Sequence, residues 1–432
     1  MFETLVNAFK VKEVRRKIFI TIGLLLVYRI GCFIPVPGLD YAAMKETIEG
    51  NVFLNIMSAL TGGSLAMGTL FAMGIGPYIN SSIIMQLLTV AIPPLERLQK
   101  EGEEGRKKIA QYTRIVTVLL AIIQAVGILL GSGDLLDTAI LPDAQWLLYT
   151  LVILIMVGGS SLTMWLGERI TEHGVGNGIS LLIFVGILST AGTAILNNFT
   201  LMSTGDLNAI WQFIGFIVAV VVIFGVIVYV DLAERKIPVQ YAKQVKGRKM
   251  YGGQSTFIPM KVNASGVMPL IFAYALLSFP QLICNMFDPN MNWGFTQWWN
   301  EWVGMGTWIY SILVAILIIF FAFFYAQIQF NAEDVSRNIQ QYGGFIPGIR
   351  PGKPTTDYLA KINNRITLFG AIFLALVALI PTLIFIAVTG GNSNLLNAFS
   401  TTGLLIVVSV ALEFDKQLQS QIMVRHYKGF LD

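Results

Sequence analysis

The chain is 432 residues long, 55% apolar and 12% charged, with a formal net charge of +4; the charged share is about half that of an average soluble protein. That balance excludes a soluble globular chain, and without a glycine period or a polar bias it also excludes collagen and disorder, leaving an all-α polytopic membrane protein. The 41 glycines fit close helix contact in a bilayer.

Cys32 and Cys284 form no C-x-x-C pair, and His173 and His426 stand far apart, so no metal-ligand spacing exists. Phosphate-loop, zinc-protease and nucleophile-elbow motifs are missing. The sequence therefore points to no cofactor and no enzyme, and any active process must draw its energy from elsewhere.

In chain order, residues 1–17 read as a cytoplasmic amphipathic segment, with Phe2, Leu5, Val6 and Phe9 at helical spacing on the membrane surface. No short apolar stretch with a small-residue cleavage site follows, so no removable signal peptide is expected. Ten segments then satisfy the need for about 20 mostly apolar residues. They lie near 18–36, 71–92, 114–131, 145–168, 179–197, 209–231, 264–285, 305–329, 366–388 and 399–417. Asn55 to Leu70, just before the second, is apolar but too short and too rich in Gly and Ser to cross. It reads as a re-entrant half-length helix enclosed by protein, or as an external surface helix.

Placing alternate loops on one side gathers the basic residues there, and of the 29 Lys and Arg only Arg29 and Lys45 fall elsewhere. Opposite loops carry Asp134, Asp137, Asp143, Asp206, Asp288 and Glu301. Ten crossings with both termini cytoplasmic follow from the positive-inside rule. Ten invites five plus five: a first half at 18–197, an external connector at 198–208, an inverted second half at 209–417 and a cytoplasmic tail at 418–432. Gly74-Ile75-Gly76-Pro77-Tyr78-Ile79 is echoed by Gly266-Val267-Met268-Pro269-Leu270-Ile271 at the equivalent place in the second half.

The spans are almost free of charge, which disfavours an ion-coupled carrier. Glu168, Asp231, Glu413 and Asp415 sit at cytoplasmic ends, and Arg29 either snorkels or pairs with a neighbouring helix. Asn80, Ser81, Ser82 and Gln86 cluster in the second span, as interhelical hydrogen bonds or as a seam that opens.

Two cytoplasmic loops exceed simple connectors. In 232–263, Ile237, Val239 and Tyr241 alternate before a basic tip, Lys246-Gly247-Arg248-Lys249, and Thr256-Phe257-Ile258 leads back, predicting a hairpin. In 331–365, Val335, Ile339 and Tyr342 mark a short amphipathic helix, followed by a Gly/Pro-rich tip at 343–352. Two structured basic loops suit docking of ribosomal RNA phosphates or an acidic protein face.

Several strings, in this order and spacing, resemble the SecY family of Sec translocon channels over essentially the whole chain. They include Arg29-Ile30-Gly31 with Phe33 to Gly38, Phe71 to Ile79, Ser82 to Leu88, and Glu101-Gly102-Glu103 through Lys108. Met164 to Glu168 with Gly176 to Ser180, Gln254-Ser255-Thr256 with Pro259 to Asn263, and Phe345 to Gly352 complete the set. The resemblance implies an hourglass channel for unfolded secretory polypeptides in the bacterial cytoplasmic membrane, opening sideways to release transmembrane segments into lipid. Its pore ring would be Ile75, Ile79, Ile179, Ile183, Ile271 and Ile406. The plug would lie near 55–70 with Leu60, Gly62, Gly63, Leu65 and Met67, and the lateral gate would use Ser82 and Gln86. Partner docking would fall to Lys246, Arg248, Lys249, Arg350 and Lys353. Implied partners are the small membrane subunits SecE and SecG, the SecA ATPase motor, the ribosome, signal peptides with unfolded preproteins, and membrane lipid. One departure is Ala332-Glu333-Asp334 after Phe330-Asn331, where family members often carry proline and a basic residue. The rivals are a secondary transporter, disfavoured by the uncharged spans, and a membrane enzyme, for which no nucleophile, metal or carboxylate pair is found.

Overall fold

The structure, a computed structural model, describes residues 2–50, 54, 57–58, 61–131, 135–136, 144–202, 207–241, 244–246, 249–251, 255–263, 266–288, 292–304, 307–389 and 401–428. Each predicted span meets a helix. These are α2 (Lys12–Gly31), α4 (Gly76–Ala91), α6 (Glu103–Gly131), α7 (Gln145–His173), α8 (Gly178–Met202), α9 (Leu207–Asp231), α10 (Met268–Phe287), α12 (Trp308–Gln329), α14 (Lys353–Thr389) and α15 (Thr401–Lys428). Shorter helices are α1 (Phe2–Lys10), α3 (Tyr41–Gly50), α5 (Pro93–Lys100), α11 (Gly294–Trp298) and α13 (Ala332–Gln341).

Among the described residues five helices are long and apolar enough to cross a membrane, and a sixth if α4 and α5, bent by 100°, count as one. The bend falls at Ile92, whose extended backbone is what Pro93 demands of the residue before it. Exposed stripes such as Phe19, Ile22, Leu26 and Ile30 on α2, or Ile115, Leu119 and Ile122 on α6, recur at helical spacing. Apolar surface on that scale belongs in lipid or under a partner.

Contacts divide the chain into two compact units. The first comprises residues 1–216, 275–310 and 385–432. Within it α4 packs on α6, α6 on α7, α7 on α2 and α8, and α15 on α8. The amphipathic segment is not simply laid on a membrane: α1 packs on α2 and α15, and Ala8 is fully buried with Val14, Ile18, Val175 and Leu418. Val6 and Phe9 stay exposed.

The second unit, residues 217–274 and 311–384, contains both of the long loops expected on the cytoplasmic side. β1 (Glu234–Tyr241) pairs antiparallel with β4 (Ser255–Lys261), with Ile237 opposite Ile258. β2 (Gln244–Lys246) and β3 (Lys249–Tyr251) form the hairpin's far end. The predicted alternation holds, since Ile237 and Val239 are buried while their neighbours Lys236, Pro238 and Gln240 are not. The second loop adds β5 (Gly344–Phe345) to the free edge of β1, a pairing that periodicity does not announce.

Ile339 and Val335 of α13 turn into the resulting core with Ile346, Leu359 and Ile362, whereas Tyr342 is exposed as the helix's C-cap. The departure at Ala332-Glu333-Asp334 gains a physical reason. Asn331 caps α13 by accepting the backbone N–H groups of Glu333 (3.0 Å) and Asp334 (3.4 Å), and acids in a first turn complement the helix dipole.

Leu359, with no exposed surface, closes this small core. Leu359→Ala is expected to cost about 2–5 kcal/mol locally. Amide hydrogen exchange along β1 and β4 should accelerate accordingly; unchanged protection would mean that the two loops are stabilised independently.

Candidate functional site

From Thr61 to the start of α4 the chain gives up regular structure inside the first unit. Gly62, Gly63, Gly68 and Gly74 adopt left-handed backbone, with φ of +72°, +84°, +55° and +52°. A chain that enters that region repeatedly cannot continue as an α-helix. Among the described residues of the expected half-helix only Met57 and Ser58 are helical, and Thr61 to Ile75 run almost wholly in turns.

Backbone freed from a helix needs other partners. Leu70 donates its N–H to the Ile34 carbonyl (2.8 Å) and Val36 donates to Gly68 (2.9 Å), around a bridge between Pro35 and Thr69. The loop after α2 thus straps the segment. Side chains complete the accounting: Thr61 Oγ1 donates to the Ser58 carbonyl (3.0 Å), Ser64 Oγ to Thr61 (2.9 Å) and Thr69 Oγ1 to Ser64 (3.2 Å). All four of these polar residues are buried.

The socket is cut by small residues. A Cβ on Gly159 of α7 would lie 1.8 Å from the Leu70 carbonyl oxygen, and the adjacent Ser160 hydroxyl donates to the Gly74 carbonyl (3.3 Å). A Cβ on Gly31 would meet the Phe71 ring at 2.0 Å; that ring stacks on Tyr28 at 5.6 Å. Arg29 pairs with a neighbouring helix, donating to the Ser189 hydroxyl on α8, and its Nη1 lies 2.6 Å from where a Gly62 Cβ would be.

Of the expected plug residues, Gly62 and Gly63 form the first left-handed pair. Leu65 is buried in the cluster that includes Ala121, Ala125, Val152 and Met156, and Met67 is 42% exposed. Leu60 lies outside the described residues.

The segment ends at the expected pore residues. Ile75 is the N-cap residue of α4 and its carbonyl accepts the N–H of Ile79 (3.1 Å). Ile179 and Ile183 occupy the first turns of α8, entered through a tight joint. There a Cβ on Gly178 would strike the Gly167 carbonyl oxygen at 2.0 Å, Asn177 Oδ1 accepts the Ile179 N–H (3.1 Å), and Gly176 has a φ of +92°. Ile406 is buried on α15, which packs on α8. Ile75 and Ile183 are also buried, Ile79 and Ile179 half-buried. Ile271 belongs to the second unit.

The sequence echo extends to backbone geometry. Gly266 (φ +61°) precedes α10 as Gly74 precedes α4, proline is the second helical residue in both, and Ile271 donates to Val267 (3.1 Å) as Ile79 does to Ile75.

The polar cluster of α4 divides. Ser81 donates to the Thr113 carbonyl of α6 (2.6 Å) and is a helix-to-helix bond, while Ser82 and Gln86 are half-buried one turn apart, with a 3.5 Å side-chain contact.

In the docking set Arg350 and Lys353 are exposed, Lys246 and Lys249 lie on the hairpin strands, and Arg248 is outside the described residues. The Arg350 carbonyl accepts the Thr355 hydroxyl (2.9 Å), and Ser336 of α13 donates to Gly352 (3.1 Å). Both residues are buried and hold the arginine's loop, and nothing in their spacing along the sequence marks them. The Gly158-Gly159-Ser160 triplet, a small-residue run inside a span, was the available signal for the socket.

Comparison with known proteins accords with this architecture. The family model described as SecY matches residues 69–414. A relative described as protein translocase subunit SecY from Streptomyces coelicolor is 43% identical, and one from Mycobacterium tuberculosis is 41% identical, each over the full length of both chains. Among solved structures, a protein-conducting channel aligns with a TM-score of 0.68 at 20% identity, covering 94% of this chain and 92% of its own. Sec61 of a canine ribosome-channel complex aligns at 0.61 and 19%, with the same coverage. Full-length identity above 40%, on a fold shared with such channels, establishes that the chain belongs to the SecY family.

Proposed function

We propose that the chain is the central pore subunit of a protein-conducting channel, passing unfolded secretory polypeptides across the bacterial cytoplasmic membrane and releasing transmembrane segments sideways into lipid. The observation that carries this reading is the buried segment from Thr61 to Ile75, built of turns and strapped by hydrogen bonds. Irregular backbone at membrane depth is tolerated only where protein or a water-filled cavity surrounds it. Such a segment can leave as a unit without unwinding a helix. A related solved structure is described as one in which the plug domain of SecY stabilises the closed state of the channel and maintains a membrane seal, and residues 55–70 take that role here.

The rim is Ile75, Ile79, Ile179, Ile183, Ile271 and Ile406. Stiff β-branched side chains around a narrow waist exclude ions by dewetting and yield to an extended chain. Ser82 and Gln86 keep one seam slightly polar, so that a sufficiently hydrophobic signal segment competes for it and then partitions into lipid. The basic loops face the cytoplasm, as do both termini.

Arg350, with Lys353 and the hairpin tip at Lys246, Arg248 and Lys249, docks the engine: the ribosome, through RNA phosphates, or the SecA ATPase. Ribosome-bound relatives support the first. SecE and SecG complete the membrane assembly. The subunit carries no catalytic role of its own.

Ile79→Gly combined with Ile406→Gly should open a resting ion conductance in planar bilayers, and silent membranes would remove the isoleucine rim. Gly159→Ala should push Leu70 out of its socket and give a leak without touching the rim; a sealed channel would show that the socket is not what holds the plug. Arg350→Glu should abolish precursor transport into vesicles while the protein still inserts, whereas full transport would exclude docking there.

A further inference from the structure

Five of the eight tryptophans, Trp293, Trp298, Trp299, Trp302 and Trp308, fall within residues 293–308, and neither the pore nor the docking loops account for them. Here α11 continues into a π-helical turn at Trp299–Val303. The element is built, not a loose loop. The Asp288 carboxylate accepts the backbone N–H groups of Asn292 (2.7 Å) and Trp293 (2.6 Å), fixing its start to the end of α10. Gln281 of α10 reads its inner side: Trp299 Nε1 donates to Gln281 Oε1 (3.0 Å), and Gln281 Nε2 donates to Asn300 (3.1 Å).

Thr296 and Val303 are buried on that side. The opposite side is aromatic: Phe295, Trp298 and Trp302 recur at i, i+3 and i+7 and are each about half exposed, with the Phe295 and Trp298 rings 6.2 Å apart. Apolar exposure continues down α10 through Ile283 and Leu276, seven residues apart. Glu301 is the single charge between 293 and 308.

An exposed aromatic ledge at the end of a 20-residue helix, with polar edges and almost no charge, suits the boundary between headgroups and acyl chains. Indole places its apolar body among chains there and its N–H among headgroups. We infer that residues 293–303 form an interfacial anchor whose Phe295–Trp298–Trp302 face lies in the headgroup boundary of the bilayer. Lacking cations, it needs no anionic lipid. Its depth does not depend on the proposed function; its side, the face opposite the basic loops, rests on the topology proposed above.

The test uses the full-length protein in zwitterionic phosphatidylcholine vesicles, with Trp146→Phe, Trp165→Phe and Trp211→Phe leaving only the five clustered indoles. Lipid brominated near the glycerol end of its chains should remove roughly half the emission, and lipid brominated near the methyl end much less, as expected of an interfacial belt. Should that variant fail to fold, Trp298→Phe with Trp302→Phe in the otherwise native chain should lose the shallow-quenched share. Quenching by aqueous iodide alone would place the ledge in water, and protection from both lipid and iodide would place it under protein; either overturns the anchor. A membrane-impermeant quencher added outside vesicles of known orientation reports the side separately, so that a wrong topology is distinguished from a wrong depth.

Discussion

A bilayer offers no water to an unpaired amide, and the first unit contains a described segment where this requirement is met without a helix. From Thr61 to Ile75 the peptide groups and hydroxyls find partners in the strap after α2, in one another and in Ser160. That solution needs positive φ, which glycine supplies without strain, and close approach, which Gly31 and Gly159 supply by having no side chain. The neighbouring features follow. Phe71 can stack on Tyr28 because Gly31 leaves room, and α4 begins only at Gly76 because Gly74 has already broken the chain's direction.

The tight α7–α8 joint uses the same economy of atoms. Gly176 and Gly178 let the start of α8 touch the Gly167 carbonyl, setting Ile179 and Ile183 at the head of a helix that α15 also packs against. Isoleucines that the sequence distributes over more than three hundred positions thereby stand at helix beginnings or on the helix beside them. The proposed rim, set at such positions, would move with its helix ends, which suits a channel that widens without refolding.

In the second unit the two long loops share one sheet and one core, although some eighty residues separate β4 from β5. Arg350, a proposed docking residue, is presented from a turn whose carbonyls are bound by Thr355 and Ser336 of its own loop. Force from a large partner would be met by a folded platform. Gly370 contributes by letting α14 pass the Val262 carbonyl, where a Cβ would come within 2.5 Å.

Hydrophobic length was enough to locate the helices, and the distribution of lysine and arginine to propose their sense, because lipid imposes those constraints on every segment by itself. The first hairpin was legible for a similar reason, since Ile237 and Val239 alternate as a half-buried strand must. The G-[IV]-x-P-x-I echo likewise proved to carry one backbone geometry in two places, because glycine permits the positive φ before each helix and proline fixes φ in its first turn. Long-range pairing left no such periodic trace. That β5 joins β1, that Ser81 rather than Ser82 ties α4 to α6, that Arg29 reaches Ser189, and that the expected half-helix unwinds into turns were all decided by tertiary structure. Each depends on which distant atom arrives within hydrogen-bonding distance, and only the folded chain specifies that.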